Sequence, residues 1–473
     1  MVCMFTASGK CAHHCGMLIF TLAIGFVMAM IDVTAVNTAL GAIAADLDVP
    51  LSGLVWVVDG YTLTFAALLL AGGALADRFG PRQTYQGGLC LFLLASVLCA
   101  LAPAGGALVA ARLLQGAGAA LFMPSSLSLL THTFDNPQQR ARMVAIWSAL
   151  VGVAATAGPL VGGLLVQGFG WRAVFWINVP VGLLGIALAQ WRVPAPAASP
   201  RRLSLFSHAL GVATLGALSF VLIEGQARGW TSEAVLSAAV AALVLGGALW
   251  LRERRSAHPM LPRALFASPS FGAAVVTGFL INFSVFGQLF LLSLFLQQAQ
   301  GRDALHTGLL LLPMMASSTL TNFLSGRVMG RFGTRGPLLG GLVAAASVAV
   351  LLIGARADTP YALILAGAMA IFFAIGISIP AMTNTVMQAS GREHANSAAA
   401  ALNANRQVGA LVGVAVMGVI MHAAPAWDTR LALGFCAIAL SYASAALLVW
   451  RRIRAGAEAA PGVATSALAT ADH

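Results

Sequence analysis

Two acids and one guanidinium stand where water is scarce. Asp32 in Asp32-Val-Thr34-Ala-Val-Asn37, Asp59 in Trp56-Val-Val-Asp59-Gly-Tyr61, and Arg112 in Arg112-Leu-Leu-Gln115-Gly116-Ala-Gly118 all fall well inside apolar stretches. A charged side chain costs about 3 kcal/mol at the centre of an inserted helix, so it faces a cavity or a partner and marks a functional site. A carboxyl group keeps its proton when desolvated and gives it up beside a cation. An acid that alternates between those surroundings is a proton switch; one bonded permanently to a hydroxyl or amide is a structural fixture. Arg112 stays charged at physiological pH and does not itself release protons. Its tasks are to hold water, to tune a carboxylate, or to pair statically with backbone carbonyls. Arg112, Gln115, Gly116 and Ala119 recur at helical spacing and share one face. All nine histidines lie in tails, loops or the ends of apolar stretches, which leaves proton relay to Asp32 and Asp59. Arg406, in Asn403-Ala-Asn-Arg406-Gln407, is also inside an apolar stretch, where static pairing or snorkelling stands evenly against a functional role.

Membrane-crossing helices must position these groups. The chain has 473 residues, 59% hydrophobic and 9% charged, against roughly 25% charged in soluble domains. Apolar windows fall at 17–40, 53–75, 84–104, 106–130, 141–166, 173–190, 207–224, 233–251, 270–297, 307–327, 337–355, 361–382, 397–421 and 430–450. At about 20 residues per crossing they predict fourteen spans and exclude a soluble enzyme with one anchor. The stretch from Met17 is too long for a signal-peptide core and has no small-residue cleavage site, so it is read as a retained first span. No G-x4-G-K-[ST], H-E-x-x-H or G-x-S-x-G site is present, so neither a P-loop pump nor a hydrolase is expected. Six scattered cysteines suggest no disulfide framework. Cys11-Ala-His13-His14-Cys15 lacks a recognised ligand spacing and reads as a solvated tail with no metal, and the segment after Arg454 reads as disordered.

The net charge of +11 reports sidedness, not nucleic-acid binding. Lys10, Arg78, Arg82, Arg140, Arg142, Arg192 and the bases at 201–202, 252–255, 263, 327–335, 392 and 451–454 fall on one side of the alternating spans. Only Arg172, Arg228, Arg302, Arg356 and Arg430 fall on the other. The positive-inside rule then makes both termini cytoplasmic. A repeat sets the architecture. Gly73-Ala-Leu-Ala-Asp77-Arg78-Phe79-Gly80-Pro-Arg82 is echoed by Gly326-Arg-Val-Met-Gly330-Arg331-Phe332-Gly333-Thr-Arg335, and the 253 residues between Gly73 and Gly326 carry spans one to six onto nine to fourteen. The expected division is a tail 1–16, a six-helix bundle 17–190, basic linkers with two extra helices 191–269, a second six-helix bundle 270–450 and a tail 451–473. Repeated halves of this kind build many secondary transporters.

The first loop carries every fixed residue of a G-x-L-A-D-R-x-G-x-R/K signature, and there the sequence resembles the major facilitator superfamily. The resemblance covers nearly the whole chain. Arg112 to Gly118 is similar to the family's proton-coupling motif, and Gly152-x5-Gly158-Pro159-x2-Gly162-Gly163 to its antiporter motif. Fourteen spans, the Asp32 and Asp59 segments, and Trp171-Arg172, Phe175, Asn178 and Pro180 resemble the EmrB/QacA-type drug:proton antiporters. The resemblance implies an all-α polytopic fold of two six-helix bundles with two extra central helices. The second loop departs at Gly330, where the aspartate is missing, which implies a weaker latch.

The expected function is export of lipophilic, cationic drugs or antibiotics across the plasma membrane in exchange for protons, by a monomer without cofactor. Asp32, Asp59 and Arg112 would couple protons; Asp32, Asp59, Tyr61, Gln115, Asn282 and Phe286 would meet substrate. Gly73, Asp77, Arg78, Gly80, Arg82, Gly152, Gly158, Pro159, Gly162 and Gly163 would gate the motion, with ordinary helix packing as the other reading of the glycines. Gly152, Thr156, Pro159 and Gly163 are spaced for one close-packing face. Asn282, Phe283, Phe286, Gln288 and Phe290 either line a drug pocket or face lipid. A proton symporter or facilitator, a membrane sensor and a channel are the alternatives.

Overall fold

The computed structural model describes residues 9–133, 137–192, 205–256 and 263–453. The side chains up to residue 19, those of 391–397 and that of Asp77 lie outside that description, as does the chain beyond 453. The readings of the Cys11–Cys15 cluster, the Asp77 carboxylate and the C-terminal tail therefore fall outside the described residues.

Every regular element among the described residues is helical. In chain order they are α1 Gly9–Leu47, α2 Leu51–Phe79, α3 Pro81–Ala100, α4 Gly105–Thr133, α5 Pro137–Phe169, α6 Ala173–Trp176, α7 Asn178–Arg192, α8 Leu205–Arg228, α9 Glu233–Arg255, α10 Arg263–Phe266, α11 Pro269–Leu294, α12 Ala304–Phe332, α13 Arg335–Leu352, α14 Tyr361–Ala423 and α15 Trp427–Arg452. A π-helical turn, Phe295–Ala299, extends α11. Fourteen stretches are long and apolar enough to cross a membrane, the number read from the sequence.

Three elements differ from the sequence reading, each for a local reason. Helix α1 begins at Gly9, ahead of the apolar window at 17–40, and no proline interrupts that lead-in. The sixth span is broken at Ile177 into α6 and α7; Pro180 has no N–H to return to the Trp176 carbonyl. Spans twelve and thirteen, Tyr361–Ser390 and Ala401–Ala423, share the helical backbone of α14, and the alanine-rich link between them favours helix over loop.

The two signature loops are turns of one and two residues. Gly80 (φ 91°) separates α2 from α3, and Gly333 (φ 68°) ends α12, values that a side chain rarely tolerates. The following arginine ties each turn to the last helix of its own half: Arg82 donates to the Gln190 carbonyl at 2.7 Å and Arg335 to the Trp450 carbonyl at 3.1 Å. Both acceptors are at helix C-termini, where a cation is favoured. Deeper in the bundles, Thr64 Oγ1 donates to the Leu113 carbonyl (2.6 Å) and its counterpart one repeat later, Ser317 Oγ, donates to the Met369 carbonyl (3.1 Å). The donors thus repeat with the sequence, and each reaches the corresponding helix of its half.

The halves meet where α5 packs on α12 and where α2 packs on the second stretch of α14. Helix α8 lies against both α2 and α14, and α9 rests on α8 with Leu236, Val240, Leu243 and Val244 turned outward, as lipid contact requires.

Candidate functional site

Asp32 sits at the centre of the first half in a closed polar network. Its carboxylate receives Arg112 Nη1 at 2.5 Å, with both side chains at or below 1% exposure. Gln115 Nε2 (3.0 Å) and Asn178 Nδ2 (2.9 Å) donate to its other oxygen. Gln115 and Asn178 also reach Ser96 Oγ, at 2.9 and 3.3 Å, so α1, α3, α4 and α7 converge on one carboxylate. The α6/α7 break places Asn178 at a helix start beside it. Arg112 is further held by Nε to the Val57 carbonyl (2.9 Å) and by the rings of Tyr61 and Phe175, whose centroids lie 4.7 and 5.8 Å from its Cζ. Buried charges survive when paired and hydrogen-bonded, and the Asp32 carboxylate has three donors.

Asp59 has the opposite surroundings. It is fully buried and neither carboxylate oxygen has a hydrogen-bond partner. It lies on α2 one turn beyond Val55, which meets Gly418 of α14, and Trp56, whose indole N–H donates to Glu224 of α8 (3.0 Å). That turn of α2 faces the other half and the extra helices. The sequence-predicted trio therefore separates: Arg112 joins Asp32 and leaves Asp59 alone. In this conformer Arg112 occupies the Asp32 carboxylate.

Helix α5 presents two smooth faces. A methyl group on Gly158 or Gly162 would overlap the Thr34 or Thr38 hydroxyl of α1, and one on Gly163 would strike the backbone at Ala304 of α12. On the α12 side, Gly308 lies against the Pro159 carbonyl, Gly152 faces Thr319, and the Thr156 and Thr319 hydroxyls meet at 2.7 Å. Gln297, in the middle of the π turn, adds a second tie: its Oε1 accepts from Gly41 N–H (2.8 Å) and its Nε2 donates to the Asn37 carbonyl (3.2 Å). All these contacts lie in the middle or the arginine-poor end of the helices. At the arginine-rich end, Gly73 has open space beside it and Arg78 is exposed over the Phe79 ring.

The Major Facilitator Superfamily model matches residues 22–414. The chain belongs to this superfamily. It is similar to the methylenomycin A resistance protein of Streptomyces coelicolor, 43% identical over 447 residues and 94% of either chain. The methylenomycin A resistance protein of Bacillus subtilis is 45% identical over 434 residues, 92% of this chain and 93% of that one. The multidrug resistance protein Stp of Mycobacterium tuberculosis is 35% identical over 402 residues, 85% of this chain and 74% of Stp. The solved xylose transporter XylE from E. coli, partially occluded and inward open, shares the fold at a TM-score of 0.63 and 14% identity, covering 93% of this chain and 98% of that one. The chain is therefore a multi-pass membrane transporter, not an enzyme.

In this superfamily member the second-half candidates Asn282 and Phe286 both lie on α11. Asn282 Nδ2 donates within α11 to the Gly278 carbonyl (2.9 Å), and Phe286 is half-buried against the core. Phe290 is fully buried and Gln288 touches Met314 Sδ at 3.8 Å, so neither faces lipid. Arg406 has a buried Nε without a partner. The described residues include no cluster of three His, Cys, Asp or Glu able to hold a metal. Residue-by-residue reading missed Ser96 and Asp46. Ser96 is one of many hydroxyls in apolar helices and nothing distinguishes it. Asp46 accepts from Trp171 Nε1 (3.0 Å) and Arg172 Nη1 (2.5 Å), giving the Trp171-Arg172 pair its anchor; an acid at a span's end facing such a pair was the available signal.

Proposed function

We propose that this chain exports lipophilic drugs or antibiotics in exchange for protons, by alternating access between its two halves, with Asp32 and Asp59 as the proton carriers and the arginine-rich ends and both termini in the cytoplasm. The observation that carries the reading is the contrast between its two buried acids. The Asp59 carboxylate is buried with no hydrogen-bond partner, a setting costly for an ion, whereas the guanidinium and two amides around Asp32 satisfy its oxygens. A conformer that exposes Asp59 to water, or parts Asp32 from Arg112, changes the setting in which each carboxyl exchanges its proton. Similarity to resistance and efflux proteins supports drugs as the cargo. A proton moving inward down 100 mV supplies about 2.3 kcal/mol, with about 1.4 more for each pH unit.

The test is proton release from everted vesicles on addition of a drug panel that includes methylenomycin A. Intact protein is expected to release protons, and Asp32→Asn and Asp59→Asn to lose that release while still reaching the membrane. Unaltered exchange in both variants overturns the assignment.

A further inference from the structure

The charges inside the spans do not all find partners. Arg112 is matched by Asp32. Arg406, in the second apolar stretch of α14, has no ion pair or hydrogen bond among the described residues, and its Nε is buried with nothing to donate to. A guanidinium is always charged and offers a planar fork of donors that fits a carboxylate through two parallel hydrogen bonds. A buried donor left unmatched costs free energy that an arriving acceptor restores.

The neighbouring amides are already spent. Asn405 Nδ2 donates to the Val275 carbonyl (2.7 Å) and Asn282 Nδ2 to the Gly278 carbonyl (2.9 Å). The stem of Arg406 packs against α11, where a Cβ on Gly278 would come within 3.2 Å of Arg406 Cγ and of Met382 Sδ, which belongs to the first stretch of α14. The stem of Arg406 therefore stands at the junction of α11 with both stretches of α14, and α11 to α14 place no acid within their described apolar spans to compensate its charge.

We infer that Arg406 anchors a carboxylate of the cargo, so that the substrates include organic acids carried as anions. This rests on the exporter reading and gives its substrate class. It has an electrical consequence: one monoanion leaving for one entering proton moves two charges across the membrane, whereas one monocation leaving for one proton moves none.

The experiment uses the full-length protein in detergent with two fluorescent probes of one lipophilic body, N-dansyl-leucine and its uncharged amide. Intact protein is expected to bind the acid at least ten-fold more tightly than the amide. Arg406→Gln brings the acid down to the amide's affinity without changing the amide's, which also shows that the variant is folded; Arg406→Lys retains part of the preference. In proteoliposomes, exchange of the acid for protons accelerates under an imposed potential that drives positive charge in the proton's direction. Equal affinities, no binding of either probe, or a preference that survives Arg406→Gln overturns the inference, and an arginine that merely reaches lipid headgroups gives the last of these. Because binding is read without a proton gradient, its failure is distinguishable from loss of proton exchange in the Asp32 and Asp59 variants.

Discussion

The two halves share a scaffold and differ in what they bury. Moving each member of the Asp32 network by the 253 residues of the repeat replaces Asp32 with Val285, Ser96 with Ala349, Arg112 with Leu365, Gln115 with Ala368 and Asn178 with Leu431. Ala349, Ala368 and Leu431 are core residues of the second half, and Val285 and Leu365 pack against that core. The same helices thus close around hydrocarbon on one side and around an ion pair on the other. The fold does not require the polar network, since its twin stands without one, and a buried ion pair is seldom more stabilising than the hydrophobic residues that fit its volume. The fold alone therefore gives no reason for the network, which leaves the proton exchange proposed above as its reading.

Single truncations should separate the halves most sharply. Asp32→Ala leaves Arg112 buried without a counter-charge and is expected to cost 3–5 kcal/mol, about the usual toll of breaking a buried pair, whereas Val285→Ala at the matching position costs about 1 kcal/mol. Unfolding in detergent measures both. The double variant Asp32→Val with Arg112→Leu copies the second half into the first. It is expected to return to within about 2 kcal/mol of the intact protein while proton exchange in vesicles stays absent. A double variant as unstable as Asp32→Ala would break the comparison.

A third pair compares the seam with the periphery. Gly308→Ala pushes a methyl group into the Pro159 carbonyl and should cost about 1–3 kcal/mol through overpacking, with a slower transport rate. Gly247→Ala, in the open space beside α9, should be neutral or slightly stabilising, by up to about 1 kcal/mol. The smallest effect concerns two matching helix starts. Asp303 caps α12 by accepting from His306 N–H at 2.7 Å, while Pro50 starts α2 with no side-chain cap. The bonds from His306 hold the Asp303 carboxyl below its usual range. A lowered carboxyl stabilises the folded state at neutral pH and loses that contribution as pH falls through its lowered value. Asp303→Ala should cost at most about 1 kcal/mol, with the loss disappearing in strong acid; hydrogen exchange at the first turn of α12 reads it.

Much of this was legible before any coordinates. Hydropathy and arginine alternation give the spans, and Gly73–Arg82 with Gly326–Arg335 give the two halves, because membrane length and turn geometry write themselves into residue order. What was hidden depends on three-dimensional pairing. No periodicity tells that Arg112 chooses Asp32 over Asp59, since both acids lie at comparable depth on neighbouring helices. The break at Ile177 follows from Pro180, but that it delivers Asn178 to Asp32 does not. The continuity of α14 was missed because polar residues in the link resemble a loop while its alanines sustain the helix.

Helix α5 turns its glycines two ways, toward α1 within its own half and toward α12 across the divide. Where side chains interlock, one helix cannot travel over another without first lifting out of its grooves. The α5–α12 track, lined by Gly163, Pro159 and Gly308, has no such teeth, and the Thr156–Thr319 hydroxyl pair is a pin that can be drawn and reset. Under the alternating access proposed above, movement of one half over the other would need no flexible strap; these two rods would serve as its bearing, with friction set by how little protrudes from them.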